Sequence, residues 1–143
     1  MAINSLRTKS QLQSYLEKIC ETAVRETAKT VKEELTRCID MQYYSDPGFY
    51  PNVYKRTEKF LNSVAVQMLS GQVAEVYVDI EGMHYKNNFS SHQVVTWASE
   101  SKHGADYYQT STQDFWTTFV KWCDENLLVL LKVNLMKYGI YID

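Results

Sequence analysis

The sequence predicts an α+β fold: a long N-terminal helix, an antiparallel β-meander of three to four strands, and a long C-terminal helix packed on the sheet. Three observations predict it. Apolar residues recur every three or four positions over residues 9–44 and again over residues 112–138, which is the period of an α-helix. Between these segments, residues 72–80 show the two-residue alternation of side-chain character that is typical of a β-strand.

The length predicts one domain that spans residues 1–143, with a helix at 9–44, the sheet and its loops at 57–108, and a helix at 112–138. A chain of this size buries about 68–70% of its unfolded surface. We therefore expect it to fold without a disulfide or a metal.

The first helix is predicted from small and apolar residues that share one face. Its candidate cap is Ser10, because a serine hydroxyl accepts a bond from a free N–H of the first turn. At roughly 50 Å, the helix is long for a small domain. It therefore either projects beyond the sheet or breaks near residues 27–30. The face comprises Leu12, Leu16, Ile19, Ala23, Thr27, Val31, Leu35, Cys38 and Ile39.

A β-hairpin is predicted from residues 64–69 and 72–80, with its turn at Gly71. Alternation in the second strand predicts one buried and one wetter face of the sheet. The predicted buried face carries Ala74, Val76, Val78 and Ile80, and the other face carries Val73, Glu75, Tyr77 and Asp79.

Residues 81–103 are predicted to form a long loop, with a short strand near 84–89 and either a strand or one helical turn at 93–98. The last helix starts at a capping-box-like Ser111–Asp114 segment, is capped by Gly139, and precedes a short strand at 140–142. Its broad apolar surface predicts the main core helix. That surface comprises Phe115, Phe119, Trp122, Cys123, Leu127, Leu130, Leu131 and Val133.

The net charge and the lengths of the apolar runs argue against two classes of partner, nucleic acids and membranes. A formal charge of −2 argues against electrostatically driven nucleic-acid binding and against a polybasic membrane surface. The apolar run at 127–131 is much shorter than a membrane span of about 20 residues, and the N-terminus lacks the apolar stretch of a signal peptide. We expect no membrane association.

Motifs for catalysis or cofactor binding are absent from the sequence. It has no phosphate-binding loop and no nucleophile elbow. His84, His92 and His103 lack metal-ligand spacing. Cys20, Cys38 and Cys123 form no CxxC pair, so they are interpreted as core thiols in a reducing compartment. We expect no catalytic residue, no metal ligand and no cofactor.

One segment carries a family resemblance. Thr57, Asn62, Ser63 and Val64 fit the pattern Thr-Gly-x-Leu-x-Asn-Ser-Ile, with Glu58 in place of the glycine and Phe60 in place of the leucine. This motif, between a first helix and a β-meander, resembles that of the head–tail joining proteins of long-tailed bacteriophages, also called neck or tail-completion proteins. Tyr54-Lys-Arg-Thr57 resembles the clostridial-type variant. The family's glycine adopts positive φ freely, so Glu58 weakens the expectation of that backbone here.

The resemblance implies a non-enzymatic structural protein of a tailed phage or prophage, which joins head to tail as a subunit of a homo-oligomeric ring. Its implied partners are other phage neck or tail proteins, without sequence-specific nucleic acid. Its implied location is the virion, and the bacterial host cytoplasm during assembly. Two segments are candidates for the subunit interface: Tyr54, Lys55, Arg56 and Thr57, and the loop residues His84, Tyr85, Lys86, Asn87, Asn88 and Phe89.

Two alternatives stay open. One is a host adaptor or regulatory domain that binds a protein partner through the amphipathic N-terminal helix. The other is an enzyme of unrecognised type, with a pocket that holds His84, His92 or His103 beside a carboxylate.

Overall fold

The computed structural model describes residues 5–45, 58–85, 90–100 and 114–143. Its elements are three α-helices, two strands and two short helical turns. In chain order they are α1 (Lys9–Ile39), a π-helical turn (Asp40–Tyr44), a 3₁₀ turn (Leu61–Ser63), β1 (Val64–Ser70), β2 (Val73–Val78), α2 (Ser91–Ser99) and α3 (Phe115–Met136).

The cap of the helix α1 is Thr8, two residues before the predicted cap. The Thr8 hydroxyl accepts a bond of 3.2 Å from the Gln11 N–H, and the Gln11 side chain accepts one from the Thr8 N–H, which together form a capping box. The prediction of Ser10 as the cap was therefore wrong. Thr8 and Ser10 are each followed three residues later by a glutamine, so the local pattern fits both positions.

The predicted break near residues 27–30 does not occur, because α1 is continuous from Lys9 to Ile39. The hydroxyl of Thr27 donates to the Ala23 carbonyl one turn earlier, which satisfies this polar group within the helix. No residue of α1 before Ile19 is buried. The first third of α1 is therefore mostly exposed, with Tyr15 half-buried against the small core.

The two strands form an antiparallel hairpin in which Val64 pairs with Val78 and Val66 with Val76. The predicted alternation is confirmed, since Val76, Val78 and Ile80 pack against the core. Within the residues that the structure describes, the sheet has two strands rather than three or four. Residues 140–142 are not a strand, and residues 93–98 belong to α2.

The prediction that the C-terminal helix packs on the sheet was wrong in its main contact, because α3 packs chiefly along α1. Both strands also contact α1. The reason is the length of α1, whose buried residues extend from Ile19 to Ile39. One long helix thus serves as the common support for the hairpin and for α3.

Among the described residues, two apolar clusters hold these elements together. In the main core, the rings of Phe60 and Phe115 meet edge to face with centroids 5.4 Å apart. The small core comprises Ile19, Ala23 and Leu135, with Tyr15, Cys20, Leu131 and Ile140 packed against it. The main core comprises Val31, Leu35, Cys38, Ile39, Phe60, Val64, Met83, Ala98, Phe115 and Phe119.

Both ends of α3 are capped. At its start, the Asp114 carboxylate accepts a bond of 2.7 Å from the Thr117 N–H. Residues 111–113, which belong to the predicted start, lie outside the described residues. At its end, Gly139 has φ +80°, which confirms its predicted capping role. The N–H groups of Gly139 and Ile140 donate to the carbonyls of Met136 and Leu135, the paired bonds of a Schellman motif.

Candidate functional site

The interface residues expected from the sequence fall mostly outside the described part of the chain. This holds for Tyr54, Lys55, Arg56, Thr57, Lys86, Asn87, Asn88 and Phe89. Of the remaining two, His84 is exposed, whereas Tyr85 is half-buried and packs against the main core. The Lys59 ammonium lies 5.7 Å from the centre of the Tyr85 ring. His84 therefore lies on the surface, whereas Tyr85 contacts the main core and Lys59.

The motif segment forms a turn that fixes the start of β1. The Asn62 side-chain amide donates a bond of 3.0 Å to the Glu58 carbonyl, and the Ser63 hydroxyl donates one of 2.6 Å to the Phe60 carbonyl. Phe60 is fully buried. Glu58 has φ +55°, so this position keeps the left-handed backbone without a glycine. The described motif residues thus have a structural role in the turn.

An exposed apolar surface lies on α3, which we call the α3 patch: Trp116, Val120, Leu127 and Leu128. Their exposed fractions are 49%, 40%, 43% and 64%. The spacing of four, eleven and twelve residues from Trp116 places them on one side of the helix. The sequence assigned Leu127 to the core, and this assignment was wrong. Consecutive exposure of Leu127, Leu128 and Val129 shows that α3 is open over much of its circumference here.

A second apolar surface lies on the N-terminal part of α1, and we call it the α1 groove. It is an open depression of about 410 Å³, beside the turn between the two strands. Leu12 and Leu16, which line it, are 43% and 38% exposed. Its lining residues are Lys9, Leu12, Gln13, Leu16, Glu17, Cys20 and Gln72.

A polar cluster joins α1 to the end of α3 between these two surfaces. The Glu26 carboxylate accepts a bond of 2.8 Å from the Tyr138 hydroxyl and one of 3.0 Å from the Lys137 ammonium. These two bonds hold the pKa of Glu26 below its usual value, and the bond from Tyr138 has the larger effect. The same bond raises the pKa of Tyr138, because it stabilises the protonated phenol. The cluster fixes α3 along α1.

Two of the three thiols, those of Cys38 and Cys123, have raised pKa values. Burial, followed by the nearby Glu34 carboxylate, raises the pKa of Cys38 to about 11, and burial also raises the pKa of Cys123. These two thiols are therefore predominantly protonated near neutral pH, where a nucleophilic cysteine needs its thiolate.

The enzyme alternative named three histidines as candidate pocket residues. His84 and His92 are exposed, and His103 lies outside the described residues. Within the described ranges, no group of three or more histidine, cysteine, aspartate or glutamate side chains is arranged to hold a metal ion. In the same ranges, no helix combines the length and the apolar character needed to cross a membrane.

Comparison with known protein families identifies the family of this chain. The family model named YomN matches residues 8–136, which is nearly the whole sequence. The chain belongs to the YomN family. The family name is that of a Bacillus phage or prophage protein, which indicates a phage-related protein. No curated protein and no solved structure matches the chain.

The YomN match coincides with the boundaries of the fold. It begins at Thr8, the cap of α1, and ends at Met136, the last residue of α3. The motif turn, the α1 groove and the α3 patch all lie inside it. Both apolar surfaces therefore belong to the part of the chain that defines YomN membership.

Proposed function

We propose that this protein is a non-enzymatic structural component of a tailed phage or prophage, which joins head to tail as a ring subunit. Its partners are other neck or tail proteins and further copies of itself. It acts in the virion, after assembly in the host cytoplasm. It needs no cofactor for this role, and binds neither a membrane nor a specific nucleic-acid sequence.

The α3 patch is the observation that carries this proposal. Four large apolar side chains between 40% and 64% exposed lie along one side of α3. Exposed apolar surface concentrated in this way is typical of protein interaction sites. A phage-related protein whose described structure offers apolar contact surfaces fits a role as a building block.

Two further features support the proposal. The order of a long helix, a turn, antiparallel strands and a C-terminal helix is that expected of head–tail joining proteins, although the described residues form two strands, and α2 stands where a loop was expected. The motif turn also retains a left-handed residue where that family carries its glycine, at Glu58. This agreement concerns the backbone, which is what a glycine at that position provides.

The proposal is tested by deleting the gene from a phage or inducible prophage that encodes it, and imaging the lysate. We expect DNA-filled heads and separate tails, with joined particles restored when the wild-type chain is supplied from a plasmid. Mass spectrometry of purified virions should then detect the protein. Normal, infectious particles from the deletion would refute the proposal.

The α1 groove favours a second candidate, a host adaptor that binds the amphipathic helix of a partner protein. Its lining includes the exposed apolar residues Leu12 and Leu16, and no residue of α1 before Ile19 is buried. Helix-in-groove recognition uses such apolar positions. The adaptor predicts a defined complex with a host protein and normal particles after deletion, so the same deletion separates the two candidates.

A further inference from the structure

We infer that the α3 patch of one copy docks into the α1 groove of a second copy, with the two helices parallel. The inference rests on the proposed function, in which copies of this chain contact one another, and it names the surfaces that meet. These surfaces differ from the interface candidates expected from the sequence, at 54–57 and 84–89.

The α1 groove presents leucines between opposite charges. Lys9 lies at its N-terminal end and Glu17 follows Leu16 on the same helix, so that Leu12 and Leu16 stand between the two charges in the sequence. Because an α-helix rises 1.5 Å per residue, the two charged positions are about 12 Å apart along the axis. Read from the N-terminus, the order is cation, leucine, leucine, anion.

The C-terminal part of the α3 patch presents the reverse order. Asp124 precedes Leu127 and Leu128, and Lys132 follows them, again with eight residues between the two charged positions. Asp124 is exposed and Lys132 is half-buried. Side by side and parallel, the helices bring Asp124 opposite Lys9 and Lys132 opposite Glu17. An apolar centre with a charged rim is the usual composition of an interface.

A contact between these two surfaces has to join two copies, because the surfaces are far apart within one chain. Asn134 contacts Thr27, whereas Phe119 belongs to the same cluster as Leu35, so α1 and α3 are antiparallel in one copy. Leu128 therefore lies alongside residues 27–35. Leu12 precedes Thr27 by 15 residues, which is about 22 Å of helix.

An interface between two different surfaces has a consequence for assembly. Each copy that offers its patch still has a free groove, so the contact repeats from copy to copy. Such heterologous contacts form a ring when the rotation closes and a filament when it does not. The inferred contact therefore supplies the type of interface that a ring subunit needs.

The test uses full-length chains with one surface disabled at a time, and light scattering to measure mass. L16K introduces a charge into the groove, and L128K introduces one into the patch. We expect the wild-type chain to form oligomers and each variant alone to be monomeric. An equimolar mixture should form a 1:1 dimer, because L16K keeps its patch and L128K keeps its groove.

The matched control is V133K. Val133 is 47% exposed on α3 but lies outside the patch, so this variant should associate like the wild type. Circular dichroism of every variant checks that the fold is retained. A monomeric wild type up to ~1 mM, a dimer of L16K alone, or equal disruption by V133K and L128K would each overturn the inference.

A charge exchange tests the parallel orientation, with exposed residues that the fold does not require. K9E and D124K should each weaken association of the otherwise wild-type chain, and the double variant K9E/D124K should regain it. No recovery in the double variant would overturn the parallel alignment.

The deletion experiment tests the function separately from this contact. Normal particles after deletion, together with a dimer in the L16K and L128K mixture, would refute the head–tail role and keep the contact. Separate heads and tails, together with no dimer in the mixture, would do the reverse.

Discussion

The side-chain amide of Asn134 donates a hydrogen bond of 2.9 Å to the hydroxyl of Thr27, 107 positions earlier in the chain. Both residues are buried, with exposed fractions of 5% and 6%. The Thr27 hydroxyl in turn donates to the Ala23 carbonyl, and the Asn134 oxygen accepts a bond of 2.7 Å from Lys137. This polar chain fixes the register of α3 along α1.

We predict that Thr27→Val destabilises the fold by about 1–3 kcal/mol, because it leaves the buried Asn134 amide without its acceptor. Thr27→Ser keeps the hydroxyl and is the matched control for that bond. Equilibrium unfolding in urea gives the free energy of unfolding for each variant. A free energy of unfolding for Thr27→Val equal to that of the wild type would contradict the prediction.

A double variant separates the bond from the shape of the site. Thr27→Val with Asn134→Leu replaces both partners by apolar groups, which removes the unsatisfied donor. We expect the double variant to be more stable than Thr27→Val alone. Stability below that of the single variant would show that the Asn134–Lys137 bond matters more than the buried pair.

Glu58 gives a second prediction, from its φ of +55°. A left-handed backbone costs an L-residue about 1–2 kcal/mol, whereas glycine adopts it without this penalty and loses some chain entropy on folding. We predict that Glu58→Gly raises the free energy of unfolding by about 0.5–1 kcal/mol, measured by urea denaturation. Glu58→Ala keeps the strain and should bring no gain. A stabilised alanine variant would trace the effect to charge.

Periodicity predicted α1 and the hairpin because their buried residues repeat at fixed intervals. The alternation of Val76, Val78 and Ile80 was sufficient to assign the buried face of β2. Local patterns also contained a signal that was missed. Ser90 and Gln93 form the capping box of α2, and this pair distinguishes a helix from a strand at residues 93–98.

Packing partners were less predictable than elements. The apolar residues of α3 surround the helix almost completely, so the sequence does not distinguish those that meet α1 from those that face solvent. Phe119 and Leu135 are buried, whereas Leu128 is 64% exposed. The choice depends on the antiparallel contact with α1, which is set by residues more than 80 positions away. The candidate interface on α3 therefore emerges only from the structure.

A third prediction concerns Cys38, which is 1% exposed and has a pKa raised to about 11. At pH 8 its thiolate fraction is roughly 200-fold smaller than that of an ordinary thiol with pKa 8.5. We expect iodoacetamide to modify Cys38 at least that much more slowly in the folded protein than in denaturant. Peptide mass spectrometry measures the rate at each cysteine separately. Cys20, half-buried in the α1 groove, is the internal comparison and should react before Cys38.

The pH dependence of stability follows from the lowered pKa of Glu26, whose carboxylate is bonded to Tyr138 and Lys137. In the unfolded chain this carboxyl takes up its proton near pH 4.3, whereas in the folded protein it remains ionised to lower pH. Its stabilising contribution is therefore complete above the unfolded pKa, and is lost as the pH falls through the folded pKa. We predict that Glu26→Gln loses less stability than the wild type between pH 6 and about pH 3, measured by thermal unfolding. Glu33→Gln, at an exposed position of the same helix, is the control and should follow the wild-type curve. Parallel curves for Glu26→Gln and the wild type would show that the bonds to Tyr138 and Lys137 do not contribute to the acid sensitivity of the fold.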